Sequence, residues 1–291
     1  MAGQWLQFVA GGLTAGAIYA LVGLGFSIVF NASGAINFAQ GEFVMIGGMS
    51  AVALLATGLP LSLAVALALA VAAIVGLLLD KLAIEPARNA GTVTLIIITI
   101  GASLFLRGLA QLVWDKRIHV LPAFSGEQPI QLFGATLLPQ SLWVLGVTAL
   151  AVAVLSWFFG RTLFGKAMLA SSYNPLAARL MGIQTRTVLL VSFGLAALLG
   201  ALAGVLTAPI TFTSYDSGVM LGLKGFAAAM LGGLGSFAGA VVGGLVLGLL
   251  EALSAGFVSS AYKDAIAFLV LLALLFFMPG GLLGARRIER V

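Results

Sequence analysis

Long apolar runs alternate along the chain with short breaks of polar and turn-forming residues. Runs near residues 5–30, 41–57, 61–80, 92–113, 141–160 and 187–209 approach the about 20 apolar residues that a spanning helix needs. Two further apolar regions follow at 223–256 and 264–283. The breaks carry turn chemistry: Asn31-Ala-Ser-Gly34, Gly58-Leu-Pro60, Glu85-Pro-Ala-Arg88, Pro122 to Pro139, and Thr211 to Gly218. This pattern predicts an all-α integral membrane protein, a polytopic bundle of about eight or nine segments. Residues 1–291 form one transmembrane domain, in which 161–186 is a long loop between spans.

Composition strengthens the reading. The chain is 62% hydrophobic and 8% charged, whereas soluble domains carry about 25% charged residues. So few charges cannot cover a water-facing surface. With no cysteine, disulfides, thiolate metal sites and cysteine nucleophiles are excluded.

The net charge of +5 is distributed as a membrane-orientation signal and not as a nucleic-acid surface. No Lys or Arg precedes Lys81, so the basic region of a cleaved signal is missing and the first run is expected to be retained. Lys81 and Arg88, then Arg161, Lys166, Arg179 and Arg186, then Arg286, Arg287 and Arg290, mark three cytoplasmic segments. The 114–140 and 210–222 loops then fall outside, with Lys116 and Arg117 partly balanced by Asp115 and Glu127. An odd number of crossings must separate an external residue 222 from an internal Arg286. The 223–256 region is therefore expected to break, an inbound helix ending near Ser236 and a return helix starting at Phe237. The same count places the N-terminus outside.

Glycine pairs Gly12/Gly16, Gly200/Gly204, Gly235/Gly239, Gly239/Gly243 and Gly244/Gly248 have the small-residue spacing that lets helix backbones approach in lipid. The stretch Asn31 to Glu42 is the most polar of the first eighty residues. Two readings stay open: a surface loop whose Glu42 favours the N-terminus of the next helix, or non-helical backbone at membrane depth, tolerated only against protein or a watery cavity. A second Gly-interrupted stretch, Leu221 to Gly239, lies toward the other end of the chain. Paired breaks of this kind point to an inverted internal repeat around a translocation site.

Other chemistries fail on inspection. Gly160-Arg-Thr-Leu-Phe-Gly165-Lys166 matches a phosphate loop until Ala167, which lacks the metal-binding hydroxyl, and no strand precedes it. His119, the single histidine, has no evident nucleophile or acid partner, and His and carboxylates show no ligand spacing. No catalytic residue and no metal or cofactor site is read in this chain. Within 161–186, Asn174 is placed to cap a short helix with Pro175 at its first position. Leu176, Leu180 and Met181 form its apolar face, and Gly182 ends it. Such a helix either lies on lipid headgroups or docks into a partner's groove.

Four stretches in order, Thr14 to Leu21, Ile36 to Glu42, Asn174 to Ile183 and Gly225 to Ala240, together resemble the LivH-type permeases. Those are membrane subunits of ABC importers for branched-chain amino acids, and the likeness covers essentially the whole chain. The resemblance implies a subunit of the bacterial inner membrane, for which the crossing count puts the N-terminus in the periplasm and the C-terminus in the cytoplasm. It further implies a second, LivM-like permease, two cytoplasmic ATP-binding subunits that hold ATP and magnesium, and a periplasmic substrate-binding protein. It assigns Asn37, Phe38, Gln40, Gly41 and Glu42 to the translocation pathway, with Gln40 standing where many members have His. Asn174, Pro175, Ala177, Ala178, Leu180 and Gly182 become the ATPase-coupling segment. The cargo implied is a branched-chain amino acid or a related small amino acid, amide or aromatic acid. The alternative from another class is a stand-alone secondary transporter or channel with Glu42 as its ion site.

Overall fold

The computed structural model describes residues 2–88, 90–126, 128–132 and 135–284. Glu127, Arg286, Arg287 and Arg290, used above for charge balance and orientation, lie outside the described residues. In chain order the helices are α1 (Ala2–Ser33), α2 (Gln40–Ala56), α3 (Leu61–Leu79, running into a π-helical turn Asp80–Ile84) and α4 (Thr92–Trp114). Then come α5 (Pro139–Arg161), α6 (Leu163–Tyr173), α7 (Pro175–Leu180) and α8 (Thr185–Thr211). Last are α9 (Ser217–Gly232), α10 (Phe237–Phe257) and α11 (Lys263–Phe277). Among the described residues seven helical segments are long and apolar enough to cross a membrane, and α2 and α9 are shorter apolar helices. The all-α expectation needs one amendment. The 114–140 loop folds an antiparallel hairpin, β1 (Ile130–Leu132) with β2 (Ala135–Leu137), pairing Ile130 with Leu137.

One end of the bundle collects the basic loops: Ser33, Arg88, Ser171, Arg179 and Arg186 line a common cleft there. The other end holds Trp5 and Phe8 of α1 against Phe257 of α10. His119 and Thr213 tie the 115–138 and 212–216 loops by reciprocal backbone bonds of 2.8 and 2.9 Å. The two loops read as lying on one side therefore do so. The expected break in the C-terminal third is present at Gly233–Ser236, with φ +103° at Gly233 and +89° at Gly235. Asn31 Nδ2 holds that turn at the basic end through the Gly235 carbonyl, 2.8 Å away. The N–H groups of Leu282 and Leu283 donate to the Leu231 and Gly232 carbonyls at 2.8 and 2.9 Å, satisfying acceptors left free at the end of α9. The chain thus starts at one end and residue 284 lies at the other.

Two boundaries differ from the sequence reading. The 210–222 loop shrinks, because α8 continues to Thr211 and α9 already begins at Ser217. The last span stops at Phe277 and not near 283, since Pro279 and Gly280–Gly281 cannot continue a helix.

Small residues set the packing. Methyl groups on Gly12, Gly16 and Gly248 would strike backbone across the α1–α10 contact, and Gly76 of α3 sits equally close to Phe193 and Ala197 of α8. These contacts are mirrored: α1 packs antiparallel to α10 and parallel to α9, while α8 packs antiparallel to α3 and parallel to α2. The units α1–α2–α3 and α8–α9–α10 therefore run in opposite directions and interlock.

Candidate functional site

Glycines bring the two units together at their short helices. A Cβ on Gly41 would strike the Gly218 carbonyl, and one on Gly218 would strike the Gly41 carbonyl. The N-termini of α2 and α9 thus meet head to head. This corrects the expected pairing of breaks: the counterpart of 34–39 is 212–216, not the Leu221–Gly239 stretch. The latter stretch contains the turn between α9 and α10.

Of the two readings left open for Asn31 to Glu42, the structure places only Gly34 at an exposed position, while Ala35, Asn37, Ala39, Gln40, Gly41 and Glu42 are buried. After Ser33 the chain climbs back along α1 until Gln40 lies beside Gly25, about 12 Å of helix above Ser33. Its backbone is satisfied by side chains, as depth in lipid demands. Asn37 Oδ1 accepts from the Ala39 N–H at 3.1 Å, and Thr99 Oγ1 accepts from the Phe38 N–H at 3.1 Å. Gln40 Nε2 donates to the Ala196 carbonyl at 2.9 Å. Glu42 does not cap α2; no side-chain cap is present there.

Glu42 instead faces α4. Its Oε1 accepts from Ser103 Oγ at 2.7 Å and from Arg107 Nη2 at 2.7 Å. Glu42 is almost fully buried, whereas the Arg107 side chain keeps 26% of its surface. Glu42 Oε2 and Arg107 Nε have no hydrogen-bond partner among the described residues. Both residues line a cavity of about 190 Å³ whose walls are Phe26, Phe38, Ile100, Leu104, Leu223 and Phe226, with Gly41 and Gly218 at the helix ends and Gly222 one turn into α9. Ile100, Leu104 and Leu223 are exposed on the outer side, so the cavity is a groove open to one flank of the bundle. The Arg107 guanidinium leaves the Glu42 pair neutral overall.

Sequence inspection missed Thr99, Ser103 and Arg107. The signal was available: they recur every fourth residue in an apolar span, one polar stripe on one helix face. A second buried cluster was also missed. Lys224 Nζ lies 2.8 Å from Glu251 Oε1, 2.8 Å from Asp264 Oδ1 and 3.2 Å from Tyr19 OH. Tyr19 OH donates to Glu251 Oε2 at 2.6 Å, and Lys263 reaches Glu251 Oε1 at 3.2 Å. Lys224 lies on the face of α9 away from the groove and ties α9 to α1, α10 and α11.

At the basic end, Asn174 Oδ1 accepts from the Ala177 N–H at 3.0 Å, Pro175 opens α7, and Gly182 ends it at φ +84°. Leu180 and Met181 are 82% and 83% exposed and Leu176 is also exposed, so the apolar face has no cover among the described residues. Ala177 is exposed, but Ala178 is buried and packs α7 down, a supporting position and not part of the outer face. Arg186 pairs with Glu85 across the adjacent cleft. The phosphate-loop resemblance resolves into a helix corner: α5 ends at Arg161, Thr162 caps α6 through the Gly165 N–H at 3.0 Å, and Gly165 abuts Phe158. No cluster of potential metal ligands occurs among the described residues.

A family model described as the permease component of branched-chain amino acid transport systems matches residues 8–275. The chain is 36% identical to the high-affinity branched-chain amino acid transport system permease protein LivH of Salmonella typhimurium, over 99% of this chain and 98% of that protein. It is 33% identical to BraD of Pseudomonas aeruginosa, described in the same words, with the same coverage. Among solved structures, PsaBC from Streptococcus pneumoniae in complex with Fab superimposes with a TM-score of 0.51 at 16% identity, covering 95% of both chains. That likeness shows the fold alone.

Proposed function

The chain belongs to the branched-chain amino acid transport system permease family, and from that premise we propose that it supplies half of an importer's translocation pore. It is a multi-pass membrane permease of the ABC-importer class. The observation that carries the reading is a full-length match to such permeases, to which the structure adds a charged groove open at one flank. A second, LivM-like permease closes that flank. The cargo is a branched-chain or related small amino acid, taken from a periplasmic binding protein. The Asn37–Glu42 segment, with Ser103 and Arg107 added from α4, lines the path.

The basic end faces the cytoplasm of a bacterial cell, with the N-terminus periplasmic. There α7 is the coupling helix: a capped, rigid turn whose Leu176, Leu180 and Met181 suit a groove on an ATPase subunit. ATP and magnesium belong to two such subunits and none to this chain.

Coexpression with the genomically adjacent permease, ATPases and binding protein tests this. The complex is expected to co-purify and to drive ATP-dependent leucine uptake in proteoliposomes. Leu180→Asp with Met181→Asp should insert normally but lose the ATPases. Gradient-driven uptake by the chain alone, with no ATPase retained, would establish the secondary-transporter alternative.

A further inference from the structure

We infer that Glu42 and Arg107 together form a reader of zwitterions. Glu42 takes the ammonium and Arg107 the carboxylate of an aliphatic α-amino acid whose side chain rests on the groove's apolar wall. The inference rests on the reading of this groove as the translocation pathway.

Spare bonding capacity is the first support. A carboxylate offers about four acceptor positions and a guanidinium five donors. Here Glu42 Oε1 carries both the Ser103 and Arg107 bonds, and Oε2 carries none. Arg107 uses Nη2, and its Nε is free. Glu42 Oε2 and Arg107 Nε are enclosed. A ligand therefore reaches these unfilled valences by a rotation of the two side chains, of which Arg107 already has 26% of its surface exposed.

Placement is the second support. Both side chains line a cavity of about 190 Å³, small enough to suit a single amino acid, and the rest of its wall is largely aliphatic and aromatic. The N-termini of α2 and α9 close it at Gly41 and Gly218. Their positive ends reinforce Arg107 as a carboxylate site, in the manner of broken transporter helices.

Charge balance is the third. The ion pair is neutral, and a zwitterion keeps it neutral. A lone amine or acid would leave one uncompensated charge in a poorly solvated site, which is strongly disfavoured. The site thus selects for both charges on one small molecule, while the wall selects for an apolar side chain.

The test uses the complete importer in nanodiscs without its binding protein, probed with radiolabelled L-leucine. Leucine is expected to bind, and a hundredfold excess of 4-methylpentanoate or 3-methylbutylamine, each lacking one charge, is expected not to displace it. Glu42→Gln and Arg107→Gln should each weaken binding by roughly 100-fold or more, as sites built on a buried polar contact do when it is lost. The double variant Glu42→Met with Arg107→Met leaves no lone charge, so it should still co-purify with the ATPases yet bind no leucine. Displacement by either analogue, or leucine binding and uptake unchanged in the double variant, would overturn the assignment. So would wild-type transport of leucine without binding at millimolar concentration. ATP-dependent uptake by the wild type is read in parallel: its absence defeats the importer reading, and its persistence in the double variant defeats only the zwitterion reader.

Discussion

Two groups of charges lie within the membrane-spanning part of this protein, and they differ in how completely they are used. Around Lys224, two cations and two carboxylates balance, with the Tyr19 hydroxyl filling the gap and four helices converging. Around Glu42, one cation meets one carboxylate, with buried polar atoms unpartnered and a cavity alongside. The first group holds four helices together, although Asp264 Oδ1 has an ion-pair contact and no hydrogen bond. The second has valence to spare. In the proposed reading the group with a cavity alongside lines the pathway, and the group at the junction of four helices is a brace.

The largest expected effect falls on the brace. Lys224→Met takes the central cation from Glu251 and Asp264, leaving Lys263 and the Tyr19 hydroxyl on Glu251. It should cost about 3 kcal/mol, the low end for breaking a buried pair. Thermal unfolding in detergent would show a sharp loss. A bulky residue at the α1–α10 contact comes next: Gly248→Leu should cost about 1–3 kcal/mol through overpacking, read by the same melt. Glu42→Gln should cost about 1–2 kcal/mol, because Arg107 loses its carboxylate but keeps 26% of its surface exposed and Ser103 can still donate to the amide oxygen, while uptake collapses. If Glu42→Gln destabilises as much as Lys224→Met, the contrast between brace and pathway fails.

Smaller effects lie at the two surfaces. Asn174→Ala removes the α7 cap, worth about 1 kcal/mol locally; it should lower coupled ATPase activity and leave the global melt unchanged. Asp115, in the loop outside the spans, is held below the usual carboxylate range chiefly by the Arg117 N–H. Its contribution is present above the ordinary carboxylate value and lost as pH falls through the lowered one. Being solvent-exposed, it should make Asp115→Asn flatten the acid limb of the melt only slightly.

Much of this arrangement was legible in the sequence. Apolar run length gave the spans, and basic residues gave the shared end of Arg88, Arg179 and Arg186. A crossing count located the turn at Gly233–Ser236. Asn174, Pro175 and Gly182 revealed α7 because caps and stops are local chemistry. What stayed hidden depends on distance in sequence. That Gly41 meets Gly218 follows from two units interlocking, which no single break reveals, so the wrong breaks were paired. Arg107 was lost inside an apolar run because window averages dilute one charge, although its spacing with Thr99 and Ser103 carried the signal. Ala178 looked like part of an interface because burial is a tertiary property.

The absence of cysteine permits the most direct test of the central claim, that the groove beside Glu42 is an aqueous path and not a lipid-facing surface. Single cysteines at Ile100, Leu104 and Leu223 line the groove, while one at Leu112 lies on the same helix as the first two but outside it. In the assembled importer, a membrane-impermeant cationic thiol reagent should modify the groove positions and spare Leu112→Cys, and L-leucine should slow the groove reactions. Equal inertness at all four positions, or labelling that leucine leaves unchanged, would contradict the account.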